Sequence, residues 1–361
     1  MRRGSTVAVS TNFLVGFHEQ KLPNLIVAYE GEIIHQFQFI NALACRLPIN
    51  AAQELARHKQ VRYVEPDDMV FALQRIIPWG VSRVFSTEQF PFATWEVSKG
   101  ERKIAAILDT GVEEAHPNIP QLKGAVNTID NTPPDTDQNG HGTHVAGTVA
   151  ALNRDIGVVG VAPRADLLSV KVLNQSGRGT IRSLVEGLEW AIMKKADIMN
   201  MSLGLVRCSQ TLQEICKKAN QRGHLLIAAA GNRGMENHRN SEVTYPAAFP
   251  SVVAVSASNL QNERPTWSSQ GDEVELIAPG VEIISTIPPD GYAYRSGTSM
   301  AAPHTSGTAA LAWVAAPELS NYTIRKILQN TAQDLSLLPS EQGFGLVCSD
   351  RATKTAANYC K

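Results

Sequence analysis

From residue 104 onward the chain repeats one alternation: a short, dominantly apolar run, then a segment with helical spacing. The apolar runs are residues 104–108, 167–173, 198–203, 225–230 and 252–255. The helical segments are residues 140–152, 180–194, 210–222, 298–315 and 322–331. A strand that is apolar on both faces has to be covered on both faces, and helices between such strands make the pairing parallel. The pattern predicts an α/β fold, a three-layer sandwich with a mostly parallel central sheet. In such a sheet ligands bind outside the carboxyl ends of the strands. The residues just after each run are therefore the ones to read for chemistry.

Those residues are small or reactive. Asp109 follows the first run; Ser202, Leu203 and Gly204 close the third; Gly231 and Asn232 follow the fourth. Gly140, His141 and Gly142 open one helix, and Gly297, Thr298 and Ser299 open another. An alcohol is a weak nucleophile near neutral pH and needs a base within hydrogen-bond reach. Imidazole suits that task because its pKa lies near working pH. A buried carboxylate fixes the imidazole tautomer and stabilises its cation. A tetrahedral oxyanion needs donors already in place, such as a side-chain amide and a backbone N–H at a helix start. Ser299, His141, Asp109 and Asn232 supply that set. His141 and His144 imitate a metal pair, but no HExxH and no third ligand accompany them, so zinc is not expected.

Leu108-Asp109-Thr110-Gly111-Val112 resembles the aspartate motif of the subtilisin-like serine proteases, peptidase family S8. Asn139-Gly140-His141-Gly142-Thr143-His144-Val145-Ala146-Gly147-Thr148 resembles their histidine motif, and Gly297-Thr298-Ser299-Met300-Ala301-Ala302-Pro303-His304 their serine motif. Ala229-Ala230-Gly231-Asn232 resembles the segment carrying their oxyanion amide. The order Asp, His, Ser is that of subtilisin. The resemblance runs from about residue 75 to about residue 348. It implies a serine endopeptidase in which Ser299 attacks, His141 is the general base and Asp109 orients it. Asn232 and the Ser299 N–H would hold the oxyanion. Gly177-Arg178-Gly179 and Ser202-Leu203-Gly204 would sandwich an extended substrate, their small residues letting a peptide add as a strand. Thr244 stands at the floor of the first specificity pocket, where many relatives carry glycine. Arg233 follows Asn232 where a glutamate is frequent. Tyr245-Pro246 matches a cis peptide bond of the family.

Residues 24–73 read as a separate unit of about 50 residues, near the lower limit for an autonomous core. Within it, 24–29, 33–40, 42–47 and 61–64 are strand-like, and Asn50 caps a short helix. The resemblance makes this small α+β unit an inhibitory propeptide, preceded by a leader of 1–23 without fixed structure and followed by a catalytic domain of 74–361. Pro78-Trp79-Gly80-Val81 looks like the start of a mature enzyme, which puts the cut between Leu73 and Gln74. Val70-Phe71-Ala72-Leu73 would be the first product, so large apolar residues are expected at the first and fourth substrate positions.

No cofactor is needed for this chemistry. Calcium is the one ion the resemblance raises, as structural support. The loop 152–158 has the length of the family's tight calcium loop, with Leu152, Asp155, Ile156 and Val158 as candidate ligands. Its pattern departs: Arg154, Asn118 and Arg75 replace an asparagine, an aspartate and a glutamine usual there.

Composition excludes other classes. Lys and Arg number 33 against 34 Asp and Glu, so there is no basic surplus for nucleic acid. No apolar run approaches the roughly 18 residues of a membrane span. The expected partners are protein or peptide substrates and the chain's own propeptide as inhibitor, with no nucleic acid, no membrane and a monomeric state. A propeptide of this kind goes with secretion in the family. Yet the stretch after Met1-Arg2-Arg3 is too polar for a signal peptide, which leaves the cytoplasm as the alternative. Five cysteines are an odd count for a disulfide framework. Bonds Cys208–Cys216 and Cys348–Cys360, with Cys45 removed, and free thiols throughout are both open. A self-inhibited binding protein would lack one member of the Asp, His, Ser set, and none is missing. Transfer of the acyl group to an amine instead of water is undecided by the sequence.

Overall fold

The computed structural model describes residues 10–67, 75–85, 103–234 and 242–359. The chain forms two compact units, Met1–Ala72 and Leu73–Lys361. The first is an antiparallel sheet of order β2-β3-β1-β4: β1 Ser10–Phe17, β2 Glu32–Gln36, β3 Ala42–Pro48 and β4 Val61–Pro66. Val15, Phe17, Leu43, Cys45, Leu47 and Val61 pack with Ile26 and Leu55 from its two helices into one core. Three expectations are corrected here. Residues 10–17, assigned to an unstructured leader, form β1, paired on both sides by β3 and β4. The alternation Val15, Phe17 on the core face is what earns the strand its place. Of residues 24–29, expected as a strand, 24–28 belong to the helix Pro23–Ala28, which opens on the proline and buries only Ile26, and Tyr29 caps it. The strand expected over 33–40 ends at Gln36, and Phe39 is 96% exposed.

The second unit is built on a seven-stranded sheet of order β13-β12-β11-β10-β6-β9-β7, parallel throughout. Its strands are β6 Ile104–Asp109, β7 Gly124–Asn127, β9 Asp166–Lys171, β10 Ile198–Met201, β11 Leu225–Ala229, β12 Val252–Ser258 and β13 Val274–Pro279. The fold class is the α/β sandwich that the alternation predicts. Successive residues of each strand feed two different cores, as the pleat requires. Ala105, Ile107, Ile198, Leu225 and Ile227 face the helices His141–Ala150, Thr298–Ala315 and Asn321–Thr331. Ala106, Leu108, Met199, Leu226 and Ala228 face the helices Ile181–Met193 and Gln210–Gln221. That double duty is why the strands are apolar without alternation. Three helix starts are capped as their sequences suggest: Thr180, Ser209 and Ser320 side chains accept from backbone N–H groups three residues on. A hairpin of β14 Ile283–Ile287 and β15 Gly291–Arg295, and a short parallel pair of β5 Arg75–Ile76 with β8 Gly157–Val158, complete the described strands.

Of the two cysteine states left open, the structure has no Cys208–Cys216 bond. Both thiols are free, Cys208 exposed and Cys216 turned into the core by its helix. Burial pushes the Cys216 thiol up to about 12, which makes it an inert packing group. Cys348 is also free, its thiol donating to Asp350 Oδ1 at 3.1 Å; Cys360 lies outside the described residues. Among the described residues no helix is long and apolar enough to cross a membrane.

Candidate active site

β6 is where the strand order turns: β9 and β7 lie on one side of it, β10 to β13 on the other. A crevice opens at such a point beyond the strand ends, and β6 ends there in Asp109. Asp109 is fully buried, and its Oδ1 accepts from His141 Nδ1 at 2.7 Å and from the Thr110 N–H at 2.8 Å. His141 is the first residue of its helix, entered through Gly140 at φ 83°, a left-handed turn that glycine makes at low cost. Asn139 shapes this entry: its Oδ1 accepts from the His141 N–H at 3.2 Å, and its Nδ2 donates to Gln175 O at 2.9 Å. Gly142 lets helix and strand end meet, because a Cβ there would lie 2.0 Å from Gly111 O.

Burial pushes the His141 imidazole down, but the charge and hydrogen bond of Asp109 outweigh it and hold the pKa above its ordinary value. Arg295 opposes and Asp137 assists that rise. The Nδ1–H donates to the Asp109 carboxylate, which leaves Nε2 as the nitrogen able to accept a proton.

Ser299 is the second residue of the Thr298–Ala315 helix. Its hydroxyl donates to Ser202 O at 3.0 Å, and the Ser202 hydroxyl donates back to Ser299 O at 2.8 Å. The second bond has a cause in the sequence. In an α-helix Ser299 O would accept from residue 303, which is Pro303 and has no N–H. Ser202 supplies the missing donor, and its hydroxyl is itself held by Asn200 Nδ2 at 2.9 Å. The nucleophile's helix is thereby tied to the end of β10.

Asn232 faces the same helix start. Its Oδ1 accepts from the Thr298 N–H and the Thr298 hydroxyl, 2.9 Å each. With the oxygen fixed, Nδ2 points the other way. A Cβ on Gly297 would lie 3.2 Å from Asn232 Nδ2 and 3.7 Å from Ser299 N. Asn232 Nδ2 and Ser299 N thus both lie near the Gly297 position, which has no side chain to come between them. Ser299 N is one of the N–H groups that a helix start leaves without an intrahelical partner.

A cleft of about 540 Å³ opens beside His141 and Ser202. Thr110, Asn139, His141, the Gly177-Arg178-Gly179 segment and the Ser202-Leu203-Gly204 segment all line it. Glycine is required at 179, where a Cβ would lie 2.2 Å from Val172 O. Thr244 sits between Gly204 and Gly231. A Cβ on Gly204 would meet Thr244 Oγ1 at 2.5 Å, and one on Gly231 would meet Thr244 Cγ2 at 2.9 Å. Tyr245-Pro246 is cis. Leu73 and Gln74, the residues of the expected cut, lie outside the described residues. His144 is structural: Nε2 meets Ile283 O and Ala293 O at 3.0 Å each, and burial, with the charge of Arg295, holds its pKa at about 3.

One residue absent from the sequence reading organises the site. Asp137 is buried, and its Oδ1 accepts from the Thr110 hydroxyl at 2.8 Å, the Asn139 N–H at 3.0 Å and the Gly140 N–H at 2.9 Å. Its Oδ2 accepts from the N–H and hydroxyl of Thr143, at 2.9 and 2.8 Å. Thr110 Oγ1 in turn accepts from the Gly142 N–H at 3.0 Å. Asp137 therefore locks the turn that carries His141 to the strand end that carries Asp109. The signal was an aspartate four residues before the histidine, in a stretch with no other role for it.

The loop 152–158 is the stretch that the sequence raised for calcium. Among the described residues no group of three or more His, Cys, Asp or Glu side chains could hold a metal ion, and Asn118 Nδ2 donates to the loop carbonyls of Leu152 and Ile156.

Residues 100–345 match the model of the subtilase family. The chain is 38% identical over 358 residues to an alkaline protease of Alkalihalobacillus alcalophilus, covering 95% of this chain and 91% of that one. It is 39% identical over 327 residues to subtilisin E of Bacillus subtilis (strain 168), covering 89% and 84%. Alkaline elastase YaB of Bacillus sp. (strain YaB) is 38% identical over 357 residues, covering 95% and 91%. With the family model spanning most of the chain and relatives at this identity along nearly its whole length, the chain belongs to the subtilase family of serine endopeptidases.

Proposed function

We propose that the chain is a self-processing precursor that hydrolyses peptide bonds through an acyl-enzyme on Ser299. The observation that carries this reading is the pair of donors, Asn232 Nδ2 and Ser299 N, facing Gly297 beside the Ser299 hydroxyl. At rest that hydroxyl donates to Ser202 O; for attack it turns to His141 Nε2. His141 takes the proton as Oγ bonds to the peptide carbonyl carbon. The carbonyl electron pair moves to oxygen, where Asn232 and the Ser299 N–H receive it. The raised imidazole pKa keeps the proton on His141 until the leaving amine collects it and the C–N bond breaks. Water then repeats the sequence, and Oγ leaves with the proton returned by His141. Asp109 keeps Nδ1 as the donor nitrogen throughout.

Thr244 refines the expected taste for large apolar residues. Its hydroxyl is fixed to Ala230 O at 3.1 Å, so the side chain stays between Gly204 and Gly231 and shortens the first pocket. Leucine-sized residues fit this floor better than Phe or Tyr. Thr244→Gly is expected to raise kcat/KM for a Phe substrate relative to its Leu counterpart by about 10-fold or more, the scale of ~1–3 kcal/mol that pocket volume commands. An unchanged Phe-to-Leu ratio in a peptide series would remove Thr244 from the pocket.

The first unit, with a core of its own, is the inhibitor removed by the cut between Leu73 and Gln74. The same reading makes the mature enzyme a secreted monomer. N-terminal sequencing and intact mass test it: wild type starts at Gln74 and Ser299→Ala keeps its full length. Equal lengths for the two would refute self-processing, and another start would refute the cut site.

A further inference from the structure

We propose that the 152–158 loop takes no calcium ion, because the Asn118 amide occupies the place between its carbonyls. Asn118 Nδ2 donates to Leu152 O and to Ile156 O, 3.3 Å each. A primary amide carries two N–H bonds, and both are used here. Oδ1 accepts from the Tyr292 hydroxyl. Reversing the amide would set Oδ1 against two carbonyl oxygens, so the network fixes its orientation. The main chain of Asn118 is equally committed: its N–H donates to His116 Nδ1 at 3.0 Å, and its carbonyl accepts from the Leu152 N–H at 2.8 Å. The N–H of Arg154 adds a bond to Leu152 O at 2.9 Å. Two of the carbonyls that would ligate a cation, those of Leu152 and Ile156, are thus already paired.

The charges agree. Calcium takes about six to eight oxygen ligands, several of them carboxylates. The loop carries one carboxylate, Asp155, which is exposed, and beside it Arg154. Arg75, on the strand that pairs with the loop, donates through Nη1 to Asn153 Oδ1 at 3.2 Å. One guanidinium group and the Asn118 N–H donors therefore sit at the loop, whose single carboxylate adjoins a second arginine in sequence. Gly157 makes the arrangement fit: at φ 84° a Cβ there would lie 2.0 Å from Asn118 Oδ1 and 2.2 Å from the Tyr292 oxygen. Tyr292 packs in turn edge-on against His116, with centroids 5.4 Å apart.

Hydrogen exchange read by mass spectrometry, on full-length protein carrying Ser299→Ala to prevent self-digestion, tests this locally. Residues 152–158 are expected to exchange at the same rate in millimolar calcium and in chelator. Asn118→Ala is expected to speed their exchange, with calcium failing to restore it. A triple variant, Asn118→Asp, Arg154→Asn and Arg75→Gln, is expected to gain calcium-dependent protection there. Protection of 152–158 by calcium in the parent overturns the proposal. So does an Asn118→Ala loop that exchanges as slowly as the parent. A triple variant as indifferent to calcium as its parent overturns the claim that these side chains exclude the ion.

Discussion

Ser299→Ala is expected to lower kcat by about a million-fold, the loss known for the nucleophile of subtilisin itself. At about 1.4 kcal/mol per factor of ten, that is roughly 8 kcal/mol of transition-state stabilisation. The fold should barely notice. The hydroxyl makes one hydrogen bond, to Ser202 O, worth about 1 kcal/mol. The helix start keeps its other ties, because Ser202 Oγ bonds the Ser299 backbone carbonyl and not its side chain. An unfolding midpoint close to wild type, beside lost hydrolysis of a peptide substrate, is the expected pair of results. Substantial remaining activity would mean that another group attacks.

Asp109→Asn is expected to cost about 10⁴ in kcat, the scale seen when the same aspartate is changed in a chymotrypsin-fold protease. Its sharper signature is in pH. His141 must be neutral to accept the Ser299 proton, so activity falls as pH drops through its folded pKa. Asp109 holds that pKa above the ordinary 6.5. With the carboxylate gone, burial and Arg295 favour the neutral ring and outweigh Asp137, which still favours the cation. The acid limb of the residual kcat/KM profile should therefore move to lower pH, past 6.5, while the rate falls for want of orientation and cation stabilisation. An acid limb that stays where it was would separate Asp109 from the titration of His141.

Much of this site could be read from the chain alone because its parts sit at predictable places. Asp109 follows an apolar strand, and His141 and Ser299 follow glycines that open helices. The resemblance supplied what periodicity cannot, namely that these ends meet. What escaped has physical reasons. β13 is interrupted by Glu275, a charge that hides a strand from an apolar count. In the fold Glu275 is buried and accepts from Arg325 Nε at 2.8 Å and Gln329 Nε2 at 2.7 Å. Those partners come from a helix about 50 residues on, which no local window contains. β1 was hidden because one strand of eight residues gives little signal until its neighbours β3 and β4 are known. Asp137 was hidden because a carboxylate in a polar turn reads as surface, and only its five bonds show it to be buried structure. The state of Cys208 and Cys216 stayed open in the sequence because only the fold shows Cys216 packed in the core and Cys208 exposed.

The central claim is that Ser299, activated through His141, is the nucleophile of a peptide-cleaving site. Labelling with a fluorophosphonate, followed by peptide mapping, tests it most directly, because only a serine with a working base and oxyanion donors reacts readily. Wild type is expected to gain one adduct, on Ser299, and Ser299→Ala and His141→Ala to gain none. An adduct on a different residue, or a folded wild-type protein that cleaves peptides while Ser299 stays unlabelled, would contradict it.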